Sequence, residues 1–139
     1  MSQYAETTDL DQQGLPAGTI DGFDAPTRVA ILQARSAYAD SFLRGRYTLP
    51  LSAWDASLTM AVVHLASWDL VVRRGFNPSS AWDQGVYARS QAADAWLAKI
   101  PGGTVSLAVT DATPTDTSDD NAGTFTAGVV TRRNWNRGR

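Results

Sequence analysis

AYADSFLRGRYTLPL, residues 37–51, decides how this chain is read. Tyr38 and Phe42 lie four apart and so share one face of a helix. Gly45 stands where a helix ends, at a position that favours a residue tolerant of positive φ. Pro50 disfavours helix just before it and sets the turn. The stretch therefore predicts the end of an amphipathic helix, a glycine stop, a short extended crossing and the start of a second helix.

Working outward, Asp24 offers an N-cap, with Pro26 in the first turn. The first helix is predicted over about 25–44, with Val29, Leu32, Ser36, Ala39 and Leu43 on one stripe. Ile31, Arg35, Tyr38 and Phe42 mark a neighbouring stripe. Ser52 opens the second helix, and Asp55 three residues on resembles a capping box. That helix runs to Arg74, and Gly75 ends it, giving a rod of roughly 35 Å. Leu58, Ala61, Leu65 and Val72 form one apolar stripe; Met60, Val63, Leu70 and Val71 add apolar side chains on other sides. A helix apolar nearly all round must be covered nearly all round. Met60, Val63, Leu70 and Val71 are therefore the candidate subunit interface.

Ser80 and Asp83 repeat the capping pattern before the third helix, 81–98. There Val86, Ser90, Ala93, Leu97 and Ile100 fall on one face. Pro101-Gly102-Gly103 stops it. Val105–Val109 alternates as a short strand would. The expected fold is all-α: a small bundle of three main helices. Residues 1–24 are read as an irregular arm with a short helix near Thr8–Gln13, 25–109 as the bundle and 110–139 as a flexible tail.

Composition bounds the function. The chain has 139 residues, 43% of them hydrophobic, a formal charge of −2 and no cysteine. The acidic balance argues against a dedicated nucleic-acid binder. The missing cysteines exclude disulfides and thiolate metal sites. The opening residues lack the basic start and apolar core of a signal peptide, and the run 60–72 is too short to span a bilayer. Charge is unevenly placed: residues 1–24 carry five carboxylates and no Lys or Arg, whereas the last eight residues carry four arginines. Eleven of the twelve basic residues are arginine, which suits bidentate interface contacts; a GC-rich genome explains the bias equally well.

Chemical motifs are few. Trp54, Trp68, Trp82 and Trp96 are spaced by fourteen, but Gly75 and Pro78 interrupt any continuous helix, so they are read as separate core and interface anchors. His64 has no orienting carboxylate on its face and no metal-ligand spacing around it, and reads as a packed or hydrogen-bonded side chain. Asp116, Asp119 and Asp120 lack the ligand ladder of a calcium loop. No phosphate-loop, nucleophile-elbow, zincin or dinucleotide fingerprint occurs. No catalysis, cofactor or metal is expected. In TRRNWNRGR, residues 131–139, three readings stay open: an arm that binds a protein partner, a contact with DNA phosphates, and a solvated end.

The order Leu43–x–Gly45–Arg46–Tyr47–x–Leu49–Pro50–Leu51 resembles the Mu-type phage neck family, small proteins of the head–tail junction. The likeness continues through the second helix to Arg73–Arg74 and more loosely to Gly103. It implies a non-catalytic head–tail connector, or adaptor: a helical bundle assembled as a dodecameric homo-oligomeric ring around the DNA channel. The implied partners are the portal protein, the next neck (stopper) or tail protein, and double-stranded DNA touched without sequence preference, with no membrane. The implied place is the virion neck, after synthesis in the host cytoplasm. Gly45, Arg46, Tyr47, Leu49 and Pro50 carry the likeness and receive a structural role at the helix corner. Arg132, Arg133, Trp135 and Arg137 are the candidate portal-binding residues. The alternative is a small helical DNA-binding or regulatory module, although the third helix carries Arg89 as its one basic residue.

Overall fold

The computed structural model describes residues 3–113, apart from 17 and 20. The architecture is all-α. Helix α1, Thr7–Asp9, runs into a π-helical turn at Leu10–Gly14. Three long helices follow: α2, Ala25–Leu43; α3, Ala56–Arg74; and α4, Ala81–Ala98. Their starts follow local chemistry. Asp24 accepts a hydrogen bond from the Thr27 N–H at 3.0 Å. Ser80 accepts one from the Asp83 N–H at 3.3 Å. Capping of this kind contributes about 1 kcal/mol per helix. Gly75 ends α3 with φ of 114°, a conformation that side chains with a Cβ resist.

Helix α3 is the axis. Leu58, Val62, Val63, Ala66, Leu70 and Val71 are fully buried. Helix α4 packs most extensively against it, through Val86, Ser90, Ala93 and Leu97, with Ile100 just beyond the helix end. Helix α2 contributes Leu32, Ser36, Ala39 and Leu43. These are the faces predicted by helical spacing; Val29, on the predicted α2 stripe, stays half-buried.

Four expectations are corrected. First, α3 begins at Ala56, with Asp55 as its N-cap accepting from the Leu58 N–H at 3.2 Å. Ser52 instead donates its N–H to the Thr110 carbonyl at 2.8 Å. Second, Val105–Val109 forms no strand; an isolated antiparallel bridge joins Ala53 to Thr110. The N–H groups of Leu107 and Ala108, which a strand would pair with a neighbouring backbone, donate instead to the Tyr47 hydroxyl and the Asp55 carboxylate. Third, Gly45 has no positive φ. It sits under Pro101, whose Cβ would lie 3.2 Å from a Cβ added at Gly45. Its demand is therefore close approach rather than handedness.

The fourth correction concerns residues 3–15, which are part of the core. Tyr4, Ala5, Leu10 and Leu15 are buried. The Tyr4 N–H donates to Ser36 Oγ at 3.0 Å, and its hydroxyl donates to the buried Asp40 carboxylate. The Tyr4 carbonyl accepts from Trp54 Nε1 at 3.2 Å and Thr59 Oγ1 at 2.8 Å. Tyr4 thus links α2 to α3. Further along, Gly14 presses onto α3: a Cβ there would stand 2.6 Å from Ser67 Oγ and 3.1 Å from Val63 Cγ1. Val63, Leu70 and Val71, read as candidate subunit-interface residues, are at 0% exposure inside the chain itself. The N-terminal segment supplies the third cover that the apolar pattern demanded. Met60, at 46% exposure, is the member of that set left on the surface.

Truncating Tyr4 to alanine removes a buried ring, its edge-on contact with Trp54 and the hydroxyl that donates to the buried Asp40 carboxylate, while the backbone bonds of residue 4 remain. The expected loss is about 3–5 kcal/mol, read as a lower urea midpoint. Gly14→Val should destabilise by more than 1 kcal/mol, roughly, through overpacking against Val63 and Ser67.

Candidate functional site

Three places on the described surface carry candidate functional chemistry. The first is the corner between α2 and α3, where the family-like residues lie. Tyr47 is half-buried, and its hydroxyl accepts the Leu107 N–H at 2.9 Å. The Arg46 guanidinium lies 6.0 Å from the Tyr47 ring centroid and reaches the Val105 carbonyl at 3.5 Å. Leu49 is half-buried against the core, and the Leu49–Pro50 peptide is cis. The chain after α4 closes over this corner. The Thr48 N–H donates to Asp111 Oδ2 at 3.0 Å, and the Ala112 N–H donates to the Thr48 carbonyl at 2.8 Å. The Ala108 N–H donates to Asp55 Oδ2 at 3.3 Å. The Thr48 N–H, followed by the Thr113 hydroxyl, holds the Asp111 carboxyl below its usual range. Gly45, Arg46, Tyr47 and Leu49 each meet other segments of the fold, and Pro50 is exposed beside them.

The second place is the turn between α3 and α4. Trp68 packs edge-on to Phe76, with centroids 5.2 Å apart, and tilted against Tyr87 at 4.8 Å. Phe76, Trp82 and Tyr87 remain about 40% exposed, and Val72 is 51% exposed. The Arg74 guanidinium lies 5.8 Å from the Trp82 ring centroid and donates to the buried Asp83 carboxylate at 2.6 Å. Asp83 also accepts the Asn77 N–H at 2.9 Å. Arg74 first, and then the Asn77 N–H, lower the Asp83 pKa. Arginine, tryptophan and tyrosine grouped in this way match the composition of binding hot spots.

The third place is a groove of about 240 Å³ between α3 and α4, lined by Ser57, Met60, Ala61, His64, Ala93 and Trp96. Burial, followed by the charge of Arg89, lowers the His64 pKa, so its imidazole is neutral at pH 7. Asp69 turns away from it and takes a two-pronged contact from Arg35, at 2.5 and 2.6 Å. Tyr38 donates to Asp94 at 2.5 Å. Together these pairs join α2 to α3 and to α4.

Among the described residues no group of three His, Cys, Asp or Glu side chains could hold a metal ion. Among them, too, no helix is long and apolar enough to cross a membrane. The four evenly spaced tryptophans share no stack. Trp54 meets Tyr4 edge-on at 5.0 Å, Trp68 and Trp82 belong to the aromatic turn, and Trp96 lines the groove. Arg132, Arg133, Trp135 and Arg137, together with Asp116, Asp119 and Asp120, lie outside the described residues. Sequence reasoning did not group Phe76 and Tyr87 about Trp68, nor place Trp82 beside Arg74 at the same turn. A signal was available: large aromatics flanking a helix-ending glycine, off the buried stripe of the next helix.

These features define a small helical bundle with a latched corner and two uncovered apolar surfaces. A family model described as Bacteriophage Mu, Gp36 matches residues 3–126. The chain belongs to that family and is a phage protein. Comparison with curated proteins and with solved structures gave no match.

Asp83 supplies a pH test. A carboxyl whose pKa is lower in the folded state stabilises fully above its ordinary value of 3.8, and that contribution is lost as pH falls through the depressed value. The urea midpoint should therefore fall as the pH drops below about 4 and through the depressed value, and Asp83→Asn should flatten that decline. Equal declines in the two proteins would contradict the assigned Arg74–Asp83 link.

Proposed function

We propose that this protein is a head–tail connector, or adaptor, of the virion neck. It forms a ring around the DNA channel, between the portal protein and the next neck or tail component. The ring is dodecameric, in register with the portal, and performs no catalysis. The observation that carries this reading is the aromatic turn between α3 and α4. Its large side chains stay in water on a bundle that otherwise buries its core well, and the chain belongs to a phage family. Exposed aromatic side chains close to arginine, as Phe76 and Tyr87 on Trp68 and Trp82 beside Arg74, favour association. A head-to-tail contact through such a patch closes into a ring when its rotation permits. The interface is assigned to Val72, Phe76, Trp82 and Tyr87 rather than to Val63, Leu70 and Val71, which the chain already buries. The latched corner serves as the rigid frame that holds α2 and α3 in place.

The test is particle mass and electron-microscope class averages of the full chain, alone and with the portal protein of its phage. Rings seated on the portal are the expected result. Trp82→Ala and Phe76→Ala should each weaken ring formation by about tenfold or more while leaving the helical circular-dichroism signal unchanged. A monomer that ignores the portal would overturn the connector reading. If that monomer also shifts duplex DNA in a salt-dependent way, the DNA-binding alternative replaces it.

A further inference from the structure

Trp82, Arg89 and Trp96 follow one another at intervals of seven along α4 and so share one flank of that helix. Towards the start of α4, Trp82 and Arg89 line a hollow of about 360 Å³ with Gln12 and Gln13 of the π-helical turn. Towards its end, Trp96 lines the groove with Met60 and His64 of α3. Burial first, and then the charge of Arg89, lower the His64 pKa, so the guanidinium acts where the hollow and the groove meet. Together they form a furrow along α4, with a tryptophan towards each end and an arginine between. We propose that this furrow is the docking site for an extended segment of a partner protein that carries two apolar side chains and, between them, an aspartate or glutamate. The proposal does not rest on the connector reading: Trp82 belongs to both, whereas Arg89, Trp96 and Met60 belong to the furrow alone.

Charge identifies the occupant. Arg89 is exposed and, among the described residues, takes no ion pair. The carboxylates nearby are engaged elsewhere. Asp11, in the wall of the hollow, faces Arg28 at 3.9 Å; Asp83 is held by Arg74; and Asp94 accepts from the Tyr38 hydroxyl. His64 is uncharged at neutral pH, and Lys99 stands one turn beyond Trp96. The furrow therefore offers an unmatched cation near its middle and a second past its end, which favours a segment with a carboxylate between its anchors. Duplex DNA suits it less well. The chain has a formal charge of −2, and the Met60 thioether has no hydrogen to donate to a phosphate.

Length sets the spacing of the anchors. Trp82 and Trp96 are fourteen residues apart in the sequence, which is about 21 Å along the helix axis. An extended chain covers that distance in about six residues. An even step places both anchors on one face of the segment, and an acidic residue at an even step between them faces the same way. The indole rings and Met60 supply apolar contact for the anchors. The amides of Gln12 and Gln13 and the hydroxyl of Ser57 stand in the walls, with donors and acceptors for the main chain of such a segment.

The test is selection from a random library of displayed dodecapeptides on the immobilised full chain, followed by titration of the most enriched peptide by fluorescence anisotropy. Enriched sequences should carry Asp or Glu between two apolar residues about six apart. Arg89→Glu should weaken binding of that peptide by about tenfold or more, and exchanging the peptide's acidic residue for lysine should restore binding to the Arg89→Glu protein. Met60→Ser, at an exposed position, should weaken binding by about threefold or more. An unchanged helical circular-dichroism signal confirms that each variant is folded. The proposal is overturned if no peptide is enriched, if the enriched peptides are basic or uncharged, or if Arg89→Glu binds the peptide as tightly as the original protein. Displacement of the peptide by an equal concentration of a short DNA duplex also overturns it and gives the furrow to nucleic acid. None of these outcomes affects whether the protein forms rings on a portal.

Discussion

The structure depends on the need to keep water from α3. Its side chains are apolar on almost every side, so a single partner helix cannot shelter it, and two leave a flank bare. Each buried Leu or Val contributes roughly 1.5–3 kcal/mol relative to exposure. A bare flank carrying Val63, Leu70 and Val71 would forgo much of the stability of a small domain. The chain meets this with α2, α4 and a third element, the N-terminal segment from Tyr4 to Leu15. The closeness of Gly14 to Val63 and Ser67 shows how tightly that element is fitted.

Polar chemistry is arranged around that apolar requirement. Tyr4 brings its backbone and hydroxyl to Ser36, Asp40, Trp54 and Thr59, so that polar groups buried beside α3 find partners. Arg35 and Tyr38 do the same with Asp69 and Asp94 between the helices. At the corner, Tyr47, Thr48 and Asp55 hold the strap that follows α4. Among the described residues, the large apolar side chains left exposed include Phe76, Trp82 and Tyr87 at the aromatic turn, to which assembly is assigned, and Met60 in the α3–α4 groove.

Much of the fold was legible in the residues. The 3.6-residue periodicity placed α2 and α4 to within a residue, because Asp24 and Ser80 are strong caps and the apolar steps are regular. Gly75 marked the end of α3 for the reason expected. The start of α3 was misplaced because Ser52 and Asp55 are both good caps, and the choice between them is made by Thr110, nearly sixty residues away. The greater misjudgement concerned the first fifteen residues. Their glycines and carboxylates outweighed Tyr4, Ala5, Leu10 and Leu15, whose spacing follows no single helical period because the chain passes through a π-helical turn. The surplus apolar surface of α3 was correctly noticed but assigned to neighbouring subunits. Pattern alone reports that a face needs cover, not which segment supplies it. At the corner, Gly45 stands out by closeness to Pro101 rather than by its handedness.

The Tyr4 carbonyl also orders events in time. One of its hydrogen-bond donors is the hydroxyl of a residue fifty-five positions later. During synthesis, α2 can coil while the N-terminal segment has no complete seat. The segment that finishes the interior is made before the rod it covers and must wait for that rod. The cover of the rod is thus encoded ahead of the rod, and its seat is complete only once the chain has reached α3.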